Sequence, residues 1–551
     1  MVTAPHPKPD ESAAPFSLGS SRVLGLSVLA LLGLSWLRRF VVDDAFISFR
    51  YAHHMAEGHG LVWNPGEAVE GYTNFLWTLL MTLPHVAGID PVPFSQAAGL
   101  IAFVVTLVCT WRVGLVVLET PQQASLATVL LGLCPSAASW ATGGLETSMQ
   151  TALLCCGAAM TAQAWADNRL NHRRAILLSL VLGAAFMTRM DSAILGSVIG
   201  LTAVWRITRE PRSERASLLA CLALPFLAII GAWFAWKMST YGGILPNTWH
   251  AKVGGHTPWG RGATYLGAFA STYLMFPLAL VPIALWRCRE RGPALVLLGA
   301  LCAWCLYLAR VGGDFMGFRF LVPALPYLFL LLVWGTWHAV THGAGRAAVI
   351  ALILGGFVHH ETTFEFDGQI EPVAMLHAHL DTPAQDWRGV GQVLGDALGE
   401  TPDVAIATTA AGVIPYLSRV GAVDMIGLTD PWVAANGKPY GKQWGHDRIA
   451  PMSYLLERGV HLVLGQPWIR AQPAPEKATH YGFQDLRGLQ VLDGEQARGF
   501  PPTASVLEIP LDETRRLVAL YLRPHPAIEN AIARLGWRRF GIRASGPDAT
   551  L

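Results

Sequence analysis

Residues 41–77 read VVDDAFISFRYAHHMAEGHGLVWNPGEAVEGYTNFLW. Adjacent carboxylates, Asp43 and Asp44, come directly after the first apolar run, and a turn region rich in Gly, Pro and Asn closes the stretch. Two acids at the rim of a membrane helix are costly unless something pairs or uses them. Phe46 and Phe49 fall on one side of a helix, with Arg50 and His54 on others, a modest amphipathic pattern suited to a membrane interface. Outward from this stretch, the chain reads as a scaffold that carries further polar groups to the same rim.

Composition points to membrane helices as that scaffold. Of the 551 residues 52% are hydrophobic and 14% charged, with a mean hydropathy of +0.38; soluble domains carry roughly 25% charge. A net charge of +2 leaves no global field for nucleic acid. All eight cysteines precede residue 306, most of them inside apolar runs where Cys packs as a small hydrophobe. The C-terminal part is thus expected to lack a disulfide framework. Residues 1–21 are rich in Pro, Ser and Ala and predict a disordered tail. The run 23–37 ends in Trp36-Leu37-Arg38-Arg39 with no small-residue cleavage site, which predicts an uncleaved first span.

Further runs able to span fall near 95–118, 124–141, 147–166, 175–188, 192–206, 217–238, 265–286, 293–309, 320–341 and 346–360. The basic loops hold Arg169, Arg173 and Arg174; Arg206, Arg209, Arg212 and Arg215; Arg287, Arg289 and Arg291; and Arg346. The positive-inside rule places them in the cytoplasm. Every other loop then faces outward, including those with Glu146, with Arg189 and Asp191, with Asn247, His250 and Lys252, and with Asp314 and Arg319, as does everything after residue 362. Turn chemistry asks for Gly and Asn, but not for acids and bases that recur on one side. Parity leaves two solutions for the run 73–89, which Pro84, His85 and Gly88 interrupt. If it stays at the interface, the N-terminus is cytoplasmic and the acid pair is outside; if it crosses, both reverse. Pro84 favours the first solution and Arg38-Arg39 the second.

The ordered motifs DDAFISFRYA, GHGLVWNPGEAVEGYTNFLW, GGLET, TRMD, PNTWHAK and GGDFMGFRFLVP, with VDMIGLTD at 423–430, resemble the terminal arabinofuranosyltransferase family of mycobacterial cell-wall assembly. Some relatives carry the label of flagellar motor-control proteins, and the wider likeness is to GT-C polyprenyl-phosphate-sugar glycosyltransferases. The resemblance implies a cytoplasmic N-terminus (1–21), a GT-C-like transmembrane domain over 22–362 with about eleven helices, and a first external loop, 38–94, bearing juxtamembrane helices. It makes 73–89 one of these helices and 363–551 an extracytoplasmic α/β domain at the bacterial plasma membrane. The activity it implies is inverting transfer of a sugar, arabinofuranose or a related pentose, from a polyprenyl phosphate to an envelope glycan. The expected partners are that donor, the glycan acceptor and the bilayer.

Such transfer needs a base for the acceptor hydroxyl. It also needs cations or amides for the phosphate leaving group and carboxylates near an oxocarbenium-like sugar. Asp43 and Asp44 are the candidates for the base, with Asp43 slightly preferred by family likeness. Neighbours on a helix point about 100° apart, so one of them faces the sugar while the other pairs or caps. Glu146 is a candidate for substrate positioning, or simply an acid at a helix start. Arg189 can hold phosphate or pair with Asp191. Asn247, His250 and Lys252 lie in a Gly-flanked loop suited to substrate capture, and Lys252 is either a phosphate ligand or a solvated lysine. Asp314 and Arg319 flank a turn and complete the substrate-binding candidates, or form a loop ion pair. His53, His54 and His59 lack the i, i+4 spacing of a helical metal pair, so no metal site is assigned. No motif names a cofactor, and a divalent cation remains compatible with the acids.

In the C-terminal part, PDVAIATTAAGVIPYL reads as strand, Gly turn and helix, GAVDMIGL and GVHLVLGQP as strands, and ETRRLVALYLRPHPAIENAIARL as strand and helix. Asp424 and Asp430 face the rim, shape an acceptor groove, or serve a strand end and turn, and His377 and His379 read as a surface pair rather than a metal site. Two other function classes compete. A lipid-linked glycan transporter should carry ionisable groups at mid-span and internal repeats, but the acids sit at span ends and no repeat is seen. A non-catalytic envelope or flagellar assembly factor should have lost the acid pair, which is present.

Overall fold

The computed structural model describes residues 18–253, 259–399, 401, 403–440, 444–482, 486, 489 and 500–543. Most of the Pro/Ser/Ala-rich tail, together with Gly254 and Gly255, lies outside the described residues.

The membrane half is a helical bundle whose helices begin and end where local chemistry dictates. Asp90 accepts from the Val92 amide (2.9 Å) and Pro91 occupies the first turn of Pro91–Val117. Asn171 accepts from the Arg174 amide (2.9 Å) at the start of His172–Thr188. Helices Arg212–Tyr241 and Gly292–Val311 both end on a left-handed glycine, Gly242 (φ 71°) and Gly312 (φ 91°). Among the described residues, six helices are long and apolar enough to cross a bilayer: Pro91–Val117, Met190–Ile207, Arg212–Tyr241, Gly292–Val311, Arg319–Ala339 and Gly343–Thr363. A seventh is the pair Trp259–Thr272 and Phe276–Arg287, if its 101° bend is counted within one span.

This count is lower than the eleven apolar runs, for local reasons. Pro135 splits the run 124–141 into Pro121–Leu133 and Pro135–Ser139. Thr147–Ala166 is a 20-residue helix diluted by Gln150, Gln163 and four threonines or serines. His172–Thr188 spends its first turn on His172, Arg173 and Arg174. The run 73–89 forms two short helices, Phe75–Leu80 and Thr82–Val86. Together they cover roughly 18 Å, too short for a core of about 30 Å.

The C-terminal region is α/β. Its strands are β1 (Ala405–Thr408), β2 (Gly421–Asp424), β3 (Lys438–Pro439), β4 (Arg448–Ile449), β5 (Leu462–Arg470), β6 (His480–Gly482), β7 (Ser505–Pro510), β8 (Arg516–Tyr521) and β9 (Arg538–Arg543). Seven of them make one sheet in the order β2-β1-β5-β8-β7-β9-β6. The β2-β1-β5 part is parallel, whereas β5-β8-β7-β9 is antiparallel. The buried runs of β1, β7 and β8 are the apolar strings that the sheet core requires.

The helix Asp43–Ala56, here the rim helix, lies between the two halves. The amphipathic pattern suggests a side turned to the membrane interface; in the structure Phe46, Phe49 and Arg50 are all buried, and the C-terminal region covers them. Phe46 packs on Tyr416 (5.5 Å between ring centroids). The Arg50 guanidinium donates to the carbonyls of Trp63 (2.7 Å), Val420 (2.9 Å) and Pro415. A second seam joins the halves at Glu371, whose amide donates to the Phe315 carbonyl (2.7 Å) and whose carbonyl accepts from the Gly317 amide (2.9 Å).

Candidate active site

The ends of several helices that follow one another at long intervals in the chain meet beside the rim helix. Between them lies a cavity of about 410 Å³. Asp44, Glu146, Arg189, Asp191, Lys252 and Arg319 line it, together with apolar Ile47, Ile194, Trp249, Val311 and Phe320. The basic clusters occupy the opposite ends of the same helices: Met190–Ile207 ends at Arg206, and Gly292–Val311 begins beside Arg291. Arg287 donates to the carbonyl of Ala339, at the far end of the helix that follows Arg319 (2.5 Å). The cavity therefore sits at one end of the bundle and the arginine-rich loops at the other.

Most charges in this cavity are already partnered. Arg189 bridges Glu146 (2.8 Å) and Asp191 (2.7 Å). Asn74 donates to Glu146 (2.8 Å), Gln150 to Asp191 (2.7 Å), and the Tyr307 hydroxyl to Asp191 (3.2 Å). Burial alone would raise the Glu146 carboxyl; Arg189 and Arg319 outweigh it and hold the group below its ordinary range. Arg319 is tied to Asp314 (2.8 Å), and its guanidinium lies over the rings of Phe320 (5.0 Å) and Trp140 (5.7 Å). The turn that presents Arg319 is tight: Phe318 adopts a left-handed φ of 57°, and Gly313 (φ 77°) packs so closely on Tyr265 that a Cβ would collide with the ring. Lys252 has no carboxylate within ion-pair distance among the described residues, and its ammonium lies near the Phe315 ring (5.9 Å).

The two adjacent acids have different surroundings. Both oxygens of Asp43 accept backbone amides, from Gly412 (3.0 Å) and Val413 (2.8 Å), at the start of helix Val413–Ser418. Gly412 sits against the Asp43 backbone, where a Cβ would overlap the carbonyl. Burial pushes the Asp43 carboxyl up to about 7 against those amides. Asp44 is half-buried, and among the described residues nothing is hydrogen-bonded to its carboxylate. Burial raises it too, with Lys252 and Arg319 opposing. Asp44 lines the first cavity and also a second one of about 400 Å³, on the side of the C-terminal region.

The remaining candidates are not brought to the first cavity. Asn247 is buried and donates to the carbonyls of Gly427 (2.9 Å) and Leu428 (3.0 Å), anchoring its loop to the C-terminal region. His250 is exposed on the helix Asn247–Val253 and does not line the cavity. Asp424 accepts from the amides of Ile426 and Thr429 (both 2.9 Å), and Asp430 from the Val433 amide (3.0 Å) and the Tyr454 hydroxyl. Both are therefore turn and cap residues. The expected surface pair His377 and His379 is on a helix, Val373–Asp381, with only His377 exposed. His379 is buried, 2.9 Å from Glu371 and stacked on Trp387. Sequence reasoning passed over Asn74, Gln150 and Tyr307, the polar groups that orient Glu146 and Asp191; their only signal was polarity within or beside apolar runs. Among the described residues no group of three His, Cys, Asp or Glu side chains is placed to hold a metal. Arg189 already neutralises two of the acids a cation would need.

Comparison with known proteins agrees with this architecture. Residues 378–504 match a family model described as a domain of unknown function, DUF8728. The chain is 25% identical to a terminal β-(1→2)-arabinofuranosyltransferase of Mycobacterium tuberculosis, over 88% of this chain and 91% of that protein. It is 28% identical to the protein of the same name from Corynebacterium glutamicum, over 58% of this chain and 51% of that one. The crystal structure of ArnT from Cupriavidus metallidurans bound to undecaprenyl phosphate superimposes with a TM-score of 0.55 at 13% identity, covering 91% of this chain and 98% of that one. The fold, with its membrane-length helices and C-terminal α/β region, is of the GT-C structural class. Within that class, the chain is similar in sequence to the terminal β-(1→2)-arabinofuranosyltransferases.

Proposed function

We propose that the protein transfers arabinofuranose or a related pentose, with inversion, from a polyprenyl phosphate to an envelope glycan on the outer side of the bacterial plasma membrane. The observation that carries this reading is Asp44: a carboxylate with no hydrogen-bond partner among the described residues, between two cavities, one of them lined by Lys252, Arg189 and Arg319. The carboxylate takes the proton of the acceptor hydroxyl while that oxygen bonds to the anomeric carbon. The bond from that carbon to the phosphate oxygen breaks, and the electron pair leaves with the polyprenyl phosphate. A carboxyl raised by burial is a better base than an ordinary one. Lys252 and Arg319 face the departing phosphate, and the apolar wall of Trp249, Val311 and Phe320 suits the first isoprene units. Asp43 acts as the docking acid, which reverses the preference drawn from the sequence. The outward orientation rests on the position of the arginine-rich loops at the other end of the bundle, and about eleven crossings with boundaries at 22–362 and 363–551 fit that parity. The test is Asp44→Asn in proteoliposomes, with radiolabelled polyprenyl-phosphate arabinofuranose and a synthetic arabinofuranoside. Transfer should fall by roughly 10²–10⁴-fold; full transfer by this variant would remove the assignment.

A further inference from the structure

Two charges that the transfer scheme does not use are buried beside the first cavity. Lys237, in the last turns of the spanning helix Arg212–Tyr241, is completely buried, and Glu70 is buried with it. Their side chains pair at 2.9 Å. The ammonium also donates to the Ile244 carbonyl (2.5 Å) and lies against the Trp233 ring (4.8 Å). Neither side chain is among the described residues that line the cavity. With its donors committed to a carboxylate, a carbonyl and a ring face, Lys237 is not itself a phosphate ligand.

A buried ion pair gains little stability over apolar side chains of similar volume, and fixing one arrangement among several is its best attested use. Here the pair joins two segments that both line the cavity. The first is the loop after the helix. Lys237 holds Ile244, and Leu245 and Pro246 follow it into the cavity wall. The Asn247 amide then donates to the Glu70 carbonyl (2.8 Å). The loop is thus tied to Glu70 on both sides of Pro246, through Lys237 and through the backbone. Trp249 and Lys252 of helix Asn247–Val253 hang from it and reach the cavity. The second segment runs on from Glu70 itself, and its residues from Gly71 to Asn74 line the opposite part of the wall. The Gly71 amide donates to the Tyr51 hydroxyl of the rim helix (2.8 Å), and a Cβ at Gly71 would collide with Thr429. This segment is therefore fixed against both the rim helix and the C-terminal region, and it gives the loop a rigid reference.

We propose that Lys237 and Glu70 are positioning residues for the donor: the pair sets the loop 244–252 against the segment 71–74 so that Lys252 meets the lipid phosphate. The proposal rests on the transferase reading, in which Lys252 faces that phosphate. Its test is the binding of undecaprenyl phosphate to the full-length protein in nanodiscs, together with donor KM and kcat in proteoliposomes. Two variants remove the tether. Lys237→Met leaves a carboxyl that burial already pushes up to about 7 against the ammonium, and that takes up a proton once the ammonium is gone. Glu70→Gln combined with Lys237→Met removes both charges at nearly constant volume. Each variant, verified as folded by its melting curve, should weaken undecaprenyl phosphate binding roughly tenfold. The donor KM should rise by a similar factor, with kcat within about twofold of the wild type. Lys252→Met should weaken binding at least as much, and adding Lys237→Met to it should cost nothing further, because the buried lysine acts only through the loop lysine. Unchanged binding in the folded Lys237 variants, additive losses in the Lys237→Met, Lys252→Met protein, or failure of the wild type to bind undecaprenyl phosphate would overturn the proposal. So would a fall in kcat alone, or loss of the folded state in both tether variants, since either marks a support of the fold. A wild type that binds undecaprenyl phosphate and transfers nothing would instead remove the transferase reading, while the positioning role is decided by the binding measurements.

Discussion

The rim helix has two sides that behave differently. Its side toward the C-terminal region is fully committed: Asp43 takes two amides, Arg50 gives to three carbonyls, and Phe46 and Phe49 pack on Tyr416. Its side toward the bundle, with Asp44, Ile47 and Ser48, opens on a cavity. One face holds the molecule together and the other leaves a carboxylate without a hydrogen-bond partner among the described residues. Neighbouring residues of the same type can therefore divide support from chemistry, with about 100° of helix rotation between them.

Substitutions can separate the two faces. The largest effect is expected on the open side, from Asp44→Asn, whose melting temperature should stay at the wild-type value while transfer is lost. A melting temperature that falls with activity would mean that Asp44 is also a support residue. Next comes Arg189→Met, which leaves Glu146 and Asp191 facing each other in a poorly hydrated site. Removing one member of a buried ion network costs about 3–5 kcal/mol, readable as loss of folded protein in a thermal melt. On the committed side, Asp43→Ala strands two buried amides and should destabilise the junction by about 1–3 kcal/mol, seen as proteolysis of the C-terminal region. The same carboxyl gives a pH signature. Its pKa rises from 3.8 unfolded to about 7 folded, so the folded state binds the proton more tightly and stability falls as pH rises through that window. Melting temperature should therefore increase from pH 8 to pH 6, and less so in the Asp43→Ala variant. The smallest change is expected outside both faces, at the exposed Arg38–Glu361 pair (2.9 Å). Arg38→Ala should cost about 0–1 kcal/mol, and a larger loss would show that this end of the bundle is more tightly held than its exposure suggests.

The sequence conveyed the bundle and the convergence of its charges, because apolar period and arginine placement are properties of single segments. Glu146, Arg189, Asp191, Lys252 and Arg319 could be named from loop parity alone, and they do share one cavity. The division of labour between Asp43 and Asp44 was not legible. It depends on Gly412 and Val413, some 370 residues away, and no local pattern records that contact. The roles of Asn247 and His379 were hidden for the same reason, since each is fixed by a partner from another part of the fold. In the C-terminal region β1, β2, β5 and β8 were readable, but β6, β7 and β9 were not: HYG and RRFGIR carry too little alternation, and Glu508 interrupts the short apolar run of SVLEIP.

The contact between Asp43 and Gly412 also has a temporal side. The two groups are 369 positions apart in the chain. At a synthesis rate of about 5–20 residues per second, the early segment waits on the order of 20–70 s before its counterpart leaves the ribosome. During that interval Asp43 has only water and lipid headgroups to satisfy it, and Arg50 has its neighbours Trp63 and Asn64 but not the carbonyls of Pro415 and Val420, so the nascent membrane half must tolerate an unfinished surface until the last third of translation covers it.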